Sequence, residues 1–214
     1  MGYHGKTISI GVVAAALIVA GCTNPDGTTN QPVTGAMIGG LTGAAAGQVI
    51  GGDTRATLIG GAIGAAAGGA IGAQMAAQER ELRQSLAGTG ADIRNTGSDL
   101  RVILPETVTF RTGSSVVDPA FRPSLRAVSE SLQRYPNSTV RVIGHTDNVG
   151  TAAHNNQLSQ DRALSVARQL IAYGARASRI SVTGRGYYEP IATNTTAAGR
   201  AENRRVEIVI IPNS

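Results

Sequence analysis

The chain has 214 residues, a formal net charge of +5, a single cysteine and only 3% aromatic residues. One cysteine excludes a disulfide within the chain. A basic balance suits nucleic acid, but these arginines are scattered rather than clustered as a phosphate-tracking surface requires. We therefore expect an anionic cell wall or anionic lipid headgroups as neighbours, and no nucleic acid.

Residues 1–21 have the features of a secretory signal peptide. Lys6, the only lysine, supplies positive charge, and residues 8–20 form an apolar run of h-region length, short for a transmembrane helix. The run ends at Val19-Ala20-Gly21-Cys22, which resembles the bacterial lipobox. Acylation of Cys22 would explain the lone cysteine and anchor the chain in lipid, whereas the alternative is a free thiol behind an uncleaved anchor. By analogy with lipoprotein sorting, Thr23 at the next position favours the outer membrane.

A glycine-rich segment at 34–78 follows a linker at 22–33. Its glycines have period four, which places each series on one helix face, where small residues let helix backbones approach closely. The two series are Gly35, Gly39, Gly43, Gly47 and Gly51, then Gly60, Gly64, Gly68 and Gly72. We predict a helical hairpin with arms at 34–50 and 56–78 around a polar turn. The segment resembles the glycine-zipper regions of outer-membrane lipoproteins.

The alternative for this segment is a flexible linker rich in glycine and alanine. The strict period and the interleaved large apolar residues argue against it. Because each interior glycine costs about 0.5–1 kcal/mol relative to alanine, such helices need close packing, in a bilayer or in a homo-oligomer. Residues 79–90 then become polar, and we expect an exposed helical spacer that ends near Gly88 and Gly90.

Residues 91–214 alternate between strand and helix patterns, which predicts one α/β domain with helices on one face of the sheet. Gly97-Ser98 separates two alternating runs, which indicates a hairpin. The predicted strands are 91–96, 99–104, 139–144, 180–183 and 206–211, and the predicted helices are 118–134 and 152–173. A polar loop at 184–200 precedes the last strand.

The strongest functional pattern lies at 141–170, which reads as a short strand, a polar turn and an amphipathic helix. Asp147 lies in the turn. Arg162 lies at the edge of the apolar helix face, and a half-buried guanidinium needs a carboxylate partner. Two interpretations remain open. Asp147 caps the loop and Arg162 forms a structural ion pair, or the two bind a zwitterion through its ammonium and its carboxylate.

Three motifs in order resemble the OmpA-like peptidoglycan-binding domain, which peptidoglycan-associated lipoproteins and flagellar stator proteins share. They are GHTD at 144–147, NxxLSxxRAxxVxxxL at 155–170 and NRRVEI at 203–208. The resemblance covers about residues 99–211 and implies a βαβαβ sandwich with helices on one face of a mixed sheet. It also implies that Asp147 and Arg162 hold the diaminopimelate residue of the peptidoglycan stem peptide. Thr146 and Asn148 complete the predicted site, and backbone amides there and near Gly113–Ser115 are expected to contact anionic groups.

Three other features lie near these motifs. Relatives often have Asp after the Phe that precedes the first domain helix, but Phe110 is followed here by Arg111. If that Asp lines the pocket, its loss weakens binding or alters selectivity. We expect Asn203 and Arg204 to fix the start of the last strand rather than to line the pocket. Tyr187 and Tyr188 either border a sugar or peptide groove or pack within their loop.

The expected function is a non-catalytic tether. No zinc-binding motif or nucleophile elbow is present, so we expect neither an enzyme nor a bound metal or cofactor. Acylated Cys22 and the zipper would hold the outer membrane, while the C-terminal domain in the periplasm binds peptidoglycan. The alternative is a zipper-driven oligomeric membrane or secretion-assembly component that the wall-binding domain positions. No residue speaks directly for a third class, a chaperone.

Overall fold

The computed structural model describes residues 54–111 and 114–213, with side chains described from residue 69 onward. The predicted signal peptide, Cys22, the linker at 22–33 and the first zipper arm at 34–50 lie outside the described residues. They stay predictions. The second zipper arm at 56–78 falls inside a described helix.

Five strands form one mixed sheet in the order β1-β2-β5-β3-β4. They are β1 (Asp92–Asn95), β2 (Leu100–Pro105), β3 (Ser138–His145), β4 (Ile180–Gly184) and β5 (Arg205–Pro212). Only the β3–β4 pair is parallel. The last strand of the chain therefore lies at the centre of the sheet, and its first six residues are buried on both faces. The predicted β-hairpin, formed by β1 and β2, is confirmed. Its turn contains Gly97 at φ 87°, a conformation that favours glycine.

The described part of the chain contains five α-helices. They are α1 (Thr54–Ser85), α2 (Glu106–Thr109), α3 (Arg122–Arg134), α4 (Ala152–Ala172) and α5 (Ala197–Asn203). The two long domain helices match the prediction, although a separate 3-10 turn at Pro119–Phe121 precedes α3. The short helices α2 and α5 were not predicted. They have only four and seven residues, too few to show a helical period.

The core lies between one face of the sheet and the helices. Alternate residues of the central strands point into it, including Val142 on β3 and Ile208 on β5, and both are fully buried. Leu125 and Val128 of α3 and Leu170 of α4 face them from the helix layer. The predicted α/β class, with helices against one face of a mixed sheet, is confirmed.

The C-terminal half of α1 packs on the domain, so the expected exposed spacer at 79–90 is wrong. Leu82 and Leu86 are 1% and 3% exposed and belong to the hydrophobic core. Gln78 Nε2 also donates to Ser131 Oγ at 3.2 Å, which joins α1 to α3. The apolar positions are sparse among charged residues, and for that reason the sequence pattern looked like a solvated helix. Of the helices described, none has the length and apolar character needed to cross a membrane.

Candidate functional site

The site begins where α4 approaches the sheet closely. Gly144 and Gly184 are register partners on β3 and β4, and a Cβ on either would overlap Ser159. This close contact brings the LS motif of α4 against the GHTD motif of β3. The buried Ser159 hydroxyl donates to Asn156 O and accepts from Gly186 N, both at 2.9 Å, so its role is packing and loop attachment.

Four charged side chains form a chain of alternating sign at this end of the sheet, which we call the charge chain. Its members in order are Asp147, Arg204, Glu106 and Arg162. Arg204 Nη1 donates to Asp147 Oδ2 at 2.7 Å, and Arg204 Nε pairs with the Glu106 carboxylate. The other oxygen of Glu106 pairs with Arg162 Nη2. Asp147 and Arg162 thus share one network, but two further residues bridge them.

Burial differs along the charge chain. The Arg162 side chain is 3% exposed, whereas that of Arg204 is 28% exposed, the most of the four. The pKa of Arg204 is raised, chiefly by its hydrogen bond to Asp147. Each partly buried group of the charge chain contacts at least one group of opposite sign, which offsets the cost of burying it. Arg204 therefore forms the accessible side of the network.

Arg162 is held rigidly. Its guanidinium carbon lies 5.3 Å from the centroid of the Phe110 ring, a cation–π contact, and its Nε donates to Ser114 O at 3.2 Å. The carboxylate expected from its burial is present, but it belongs to Glu106. The side chain can therefore present its charge with little loss of conformational entropy on binding.

The Asp147 turn is also fixed. Asp147 Oδ1 accepts from Val149 N at 3.0 Å, and Asn155 Nδ2 donates to Val149 O at 2.9 Å. Asn155, the first residue of the NxxLS motif, thus positions the turn and makes no hydrogen bond to a side chain of the charge chain. Asp147 caps its own loop, as one interpretation expected, and still contributes its second oxygen to the charge chain.

Two of the predicted backbone contacts meet a geometric obstacle. Thr146 N donates to Gly186 O at 2.8 Å, and Ser114 N donates to Arg111 O at 3.0 Å, so both amides are already used. Gly113 lies outside the described residues. The Thr146 hydroxyl is buried and has no hydrogen-bond partner among the residues that the structure describes. Asn148 is exposed beside Asp147.

Sequence reasoning missed Glu106 and assigned Arg204 only to the start of the last strand. Asn203 behaves as expected, since its Oδ1 accepts from the amides of Ile191 and Ala192. The expectation for Arg204 needs correction, because its guanidinium belongs to the charge chain. Glu106 N donates to Arg204 O at 3.0 Å, where β2 ends beside the start of β5. Only that long-range strand pairing brings the two residues together.

Arg111 is exposed and lies outside the charge chain. The acidic group on this side of the site is instead Glu106, four residues before Phe110. No cluster of His, Cys, Asp and Glu that could hold a metal ion occurs in residues 54–111 or 114–213.

Comparison with known proteins confirms the resemblance. The OmpA family matches residues 109–204, and the YMGG-like Gly-zipper family matches residues 3–76. Over 208 residues the chain is 42% identical to a protein of Escherichia coli named "Probable lipoprotein YiaD". The match covers 94% of this chain and 95% of that protein.

Two further matches cover a smaller share of the chain. The chain is 36% identical over 124 residues to the peptidoglycan-binding protein ArfA of Mycobacterium tuberculosis, a match to 58% of this chain and 37% of that protein. The solved structure of the cell wall anchor of the T6SS from Pseudomonas aeruginosa is similar with a TM-score of 0.58 and 33% identity, over 64% of this chain and 97% of that one. The chain belongs to the OmpA family, with a YMGG-like glycine zipper preceding the family domain.

Proposed function

We propose that this protein is an outer-membrane lipoprotein that tethers the membrane to the cell wall by binding the diaminopimelate residue of peptidoglycan. The charge chain from Asp147 to Arg162 is the observation that carries this proposal. The names of ArfA and of the Pseudomonas aeruginosa anchor support wall binding by this domain. The binding is non-covalent and reversible, and it requires no catalytic group.

The charges of the site match those of the ligand. The side chain of diaminopimelate ends in an ammonium and a carboxylate on one carbon. Asp147 receives the ammonium, assisted by Glu106, and Arg162 receives the carboxylate, assisted by Arg204. Because the four side chains sum to zero charge, a zwitterion exchanges one set of ion pairs for another and leaves no buried charge unpaired.

Arg204 has a second role in this mechanism. In the free protein it covers the Asp147 carboxylate through their 2.7 Å contact. An incoming ammonium displaces the guanidinium from Asp147, and the displaced group then becomes available to the ligand carboxylate. A ligand with only an ammonium would leave Arg204 with Glu106 as its one carboxylate partner in the site and would not replace the lost Asp147 contact, so this exchange favours diaminopimelate over lysine.

Glu106 accounts for the sequence departure at Arg111. Where relatives often place Asp after Phe, this chain supplies a carboxylate from α2, in contact with both arginines of the site. We propose that Glu106 performs the acidic role and that the exposed Arg111 does not weaken binding.

Titration calorimetry of the mature chain in detergent tests the site. The ligand is a stem tripeptide ending in diaminopimelate, and the comparison ligand has lysine at that position. We expect Asp147→Ala and Arg162→Ala each to weaken binding of the first peptide at least about 100-fold, the effect of about 3 kcal/mol. Arg168→Ala, an exposed arginine of the same helix, is the matched control and keeps wild-type affinity. Wild-type binding by both folded site variants would refute the assignment.

Lipid anchoring is tested separately. Cells that express the chain are labelled with a palmitate analogue, and their membranes are separated on a density gradient. We expect the wild-type chain to carry the label and to sediment with the outer membrane, and Cys22→Ser to lose both properties. A labelled Cys22→Ser variant would contradict acylation at this position.

A second candidate function is a zipper-driven assembly that the wall-binding domain positions. The observation in its favour is the continuity of α1, which runs from the second zipper arm at 56–78 to the segment packed on the domain. Zipper association would then set the spacing of several wall-binding domains. Crosslinking of the mature lipoprotein, with and without residues 34–78, tests this. A strictly monomeric protein in detergent and in membranes would count against it.

A further inference from the structure

A groove lined by arginines runs along α3 and α4, on the side of the helix layer that faces away from the sheet. It consists of a hollow of about 540 Å³ and an adjoining one of about 160 Å³, and Arg122 lines both. Arg126 and Tyr173 line the larger hollow, and Arg168 lines the smaller one. We call this feature the arginine groove. The charge chain uses none of its side chains.

The arginine groove carries an excess of positive charge. Among the side chains that the structure describes, no carboxylate forms an ion pair with Arg122, Arg126 or Arg168. Glu130 lines the larger hollow one turn after Arg126, but the two do not pair. The guanidinium carbon of Arg126 instead lies 4.9 Å from the centroid of the Tyr173 ring, a cation–π contact that leaves its N–H donors for a ligand. The groove thus presents three guanidinium groups against one carboxylate.

The positions of Arg122 and Arg126 are unfavourable for the helix that carries them. They are four residues apart, so the two like charges lie on one face of α3 and repel each other. Arg122 is the first residue of α3, where the helix dipole favours negative charge, and the first turn contains no acidic residue. Because positions that break local rules concentrate at functional surfaces, we interpret these arginines as binding groups.

The spacing of the charges favours an extended acidic chain. Arginine forms two-pronged contacts with carboxylates and phosphates. Arg122 and Arg126 are separated by a rise of about 6 Å along α3, and side chains on one face of an extended peptide recur about every 6.6 Å. Arg168 adds a third charge from α4. Charges distributed along a groove suit several carboxylates on a peptide better than they suit one phosphate group.

The start of α3 lies at the charge-chain end of the domain. Asp118 N donates to Thr109 O at 2.9 Å, and Thr109 is the last residue of α2, which begins with Glu106 of the charge chain. From there α3 runs toward the opposite end of the sheet, where β3 begins. Arg122 and Arg126 occupy the first half of α3, so the arginine groove lies toward the charge-chain end.

The helix that continues the zipper, α1, leaves the domain at the other end. Asn95 Nδ2 donates to Glu79 Oε2 at 2.8 Å, and Arg83 Nη2 donates to Ile93 O at 2.7 Å. Since β1 is antiparallel to β2, which runs toward Glu106, Asn95 and the attached Glu79 lie farther from the charge chain than Ile93 and Arg83. The part of α1 that precedes Glu79 therefore leads away from the arginine groove, which argues against a membrane as its occupant.

We propose that the arginine groove binds an acidic segment of a partner protein in an extended conformation, with its carboxylates paired to Arg122, Arg126 and Arg168. This inference goes beyond wall binding and does not depend on it. The groove and the charge chain are separate sets of side chains, so one domain can hold a stem peptide and an acidic segment together.

The test measures the fluorescence anisotropy of labelled probe peptides on the mature chain in detergent at constant ionic strength. The probes are a peptide of six glutamates and a peptide of six glutamines. We expect wild-type protein to bind the glutamate peptide at least about 10-fold more tightly than the glutamine peptide, and Arg122→Glu and Arg126→Glu each to weaken glutamate binding at least about 10-fold. Arg141→Glu is the matched control. It makes the same change of net charge at an exposed position of β3, on the other face of the sheet, and should keep wild-type affinity within about 2-fold.

Arg122→Glu should lose the glutamate peptide without losing stability. It places an acidic residue in the first turn of α3, where the helix dipole favours one, so its thermal midpoint should not fall below that of the wild-type chain. Both groove variants should retain wild-type affinity for the diaminopimelate tripeptide. Loss of tripeptide binding by both would place the groove within the wall site and overturn its separate role.

The remaining outcomes concern the kind of ligand. Equal wild-type affinities for the two probes, or an equal loss in Arg141→Glu, would overturn the inference, because net charge alone would then explain the binding. Displacement of the glutamate peptide by inorganic phosphate at the same ionic strength would identify a small-anion site. Displacement by phosphatidylglycerol added to the micelles would identify a lipid site, and either displacement overturns the assignment to an acidic peptide.

Discussion

Arg204 donates to Asp147 across 2.7 Å, although 57 residues separate the two in the chain. The contact occupies the carboxylate that the family resemblance assigns to the ligand ammonium. The free protein therefore holds its own substitute for the ligand at each end of the site, Arg204 at Asp147 and Glu106 at Arg162. In the proposed mechanism, binding replaces these internal partners, so we expect selectivity to depend on how well a ligand satisfies all four groups at once.

Replacing Arg204 with alanine should change ligand preference as well as affinity. The change leaves two carboxylates and one guanidinium, so the four-residue site shifts from zero charge to −1. The ligand carboxylate then meets repulsion, and we expect the variant to bind the diaminopimelate tripeptide about 10-fold more weakly, or about 1.4 kcal/mol. A tripeptide in which the carboxylate at the end of the diaminopimelate side chain is amidated should lose less affinity for the variant. Calorimetry with the two tripeptides measures the shift.

The matched control for that prediction is Arg204→Lys, which retains the charge but not the two-pronged contact with Asp147 and Glu106. It should keep the wild-type order of preference with reduced affinity. If Arg204→Ala weakens the binding of both tripeptides by the same factor, Arg204 affects only the shape of the site and not its preference for a ligand carboxylate.

Glu106→Gln should destabilise the protein. Glu106 neutralises both guanidinium groups of the site, and the Arg162 side chain is only 3% exposed. Loss of that charge leaves Arg162 buried without a charged partner, and we expect the free energy of unfolding to fall by about 2–4 kcal/mol. Urea denaturation measures it.

The control for Glu106 is Glu81→Gln, since Glu81 pairs with the half-exposed Arg134 on the outside of the domain. That change should cost less than about 1 kcal/mol. Similar losses in the two variants would show that Glu106 contributes no more than an ordinary surface ion pair.

Local patterns predicted most of the fold but only half of the charge chain. The hairpin, both long domain helices and the motifs with Asp147 and Arg162 follow from period, turn residues and spacing within short segments. Glu106 and Arg204 were not predicted to meet, because their contact requires β5 to insert between β2 and β3, a long-range pairing that no local pattern encodes. The docking of α1 was missed for the same reason, since Leu82 and Leu86 acquire their core role only from the elements they meet.

Leu82→Ala should destabilise the domain even though Leu82 belongs to the helix that continues the glycine zipper. Its side chain is 1% exposed and packs in the core. Truncation removes that packing and leaves a cavity, and we expect a loss of about 2–5 kcal/mol in the free energy of unfolding. Gln84→Ala, an exposed position two residues along α1, should change stability by less than about 0.5 kcal/mol.

Truncation provides a second test of the same contact. A chain that begins at residue 88 lacks the docked half of α1, whereas one that begins at 69 retains it. We expect the shorter chain to unfold at lower urea concentration. Equal midpoints for the two chains would show that α1 is attached to the domain without stabilising it.

The histidine of the GHTD motif should make stability depend on pH. His145 is 2% exposed, and burial lowers its pKa to about 4 from an ordinary value of 6.5, with a further contribution from the positive charge of Arg205. Glu207, 3.7 Å from Nε2, opposes the shift but does not cancel it. The unfolded chain therefore takes up a proton at higher pH than the folded one. The free energy of unfolding is unaffected above pH 6.5 and falls between pH 6.5 and 4, by up to about 1.4 kcal/mol per pH unit.

Urea denaturation across this range, compared between wild type and His145→Gln, isolates the histidine because the carboxylates are common to both. His154→Gln, at an exposed position, should retain the wild-type slope. Parallel pH profiles for wild type and His145→Gln would show that His145 takes up its proton equally in the folded and unfolded states.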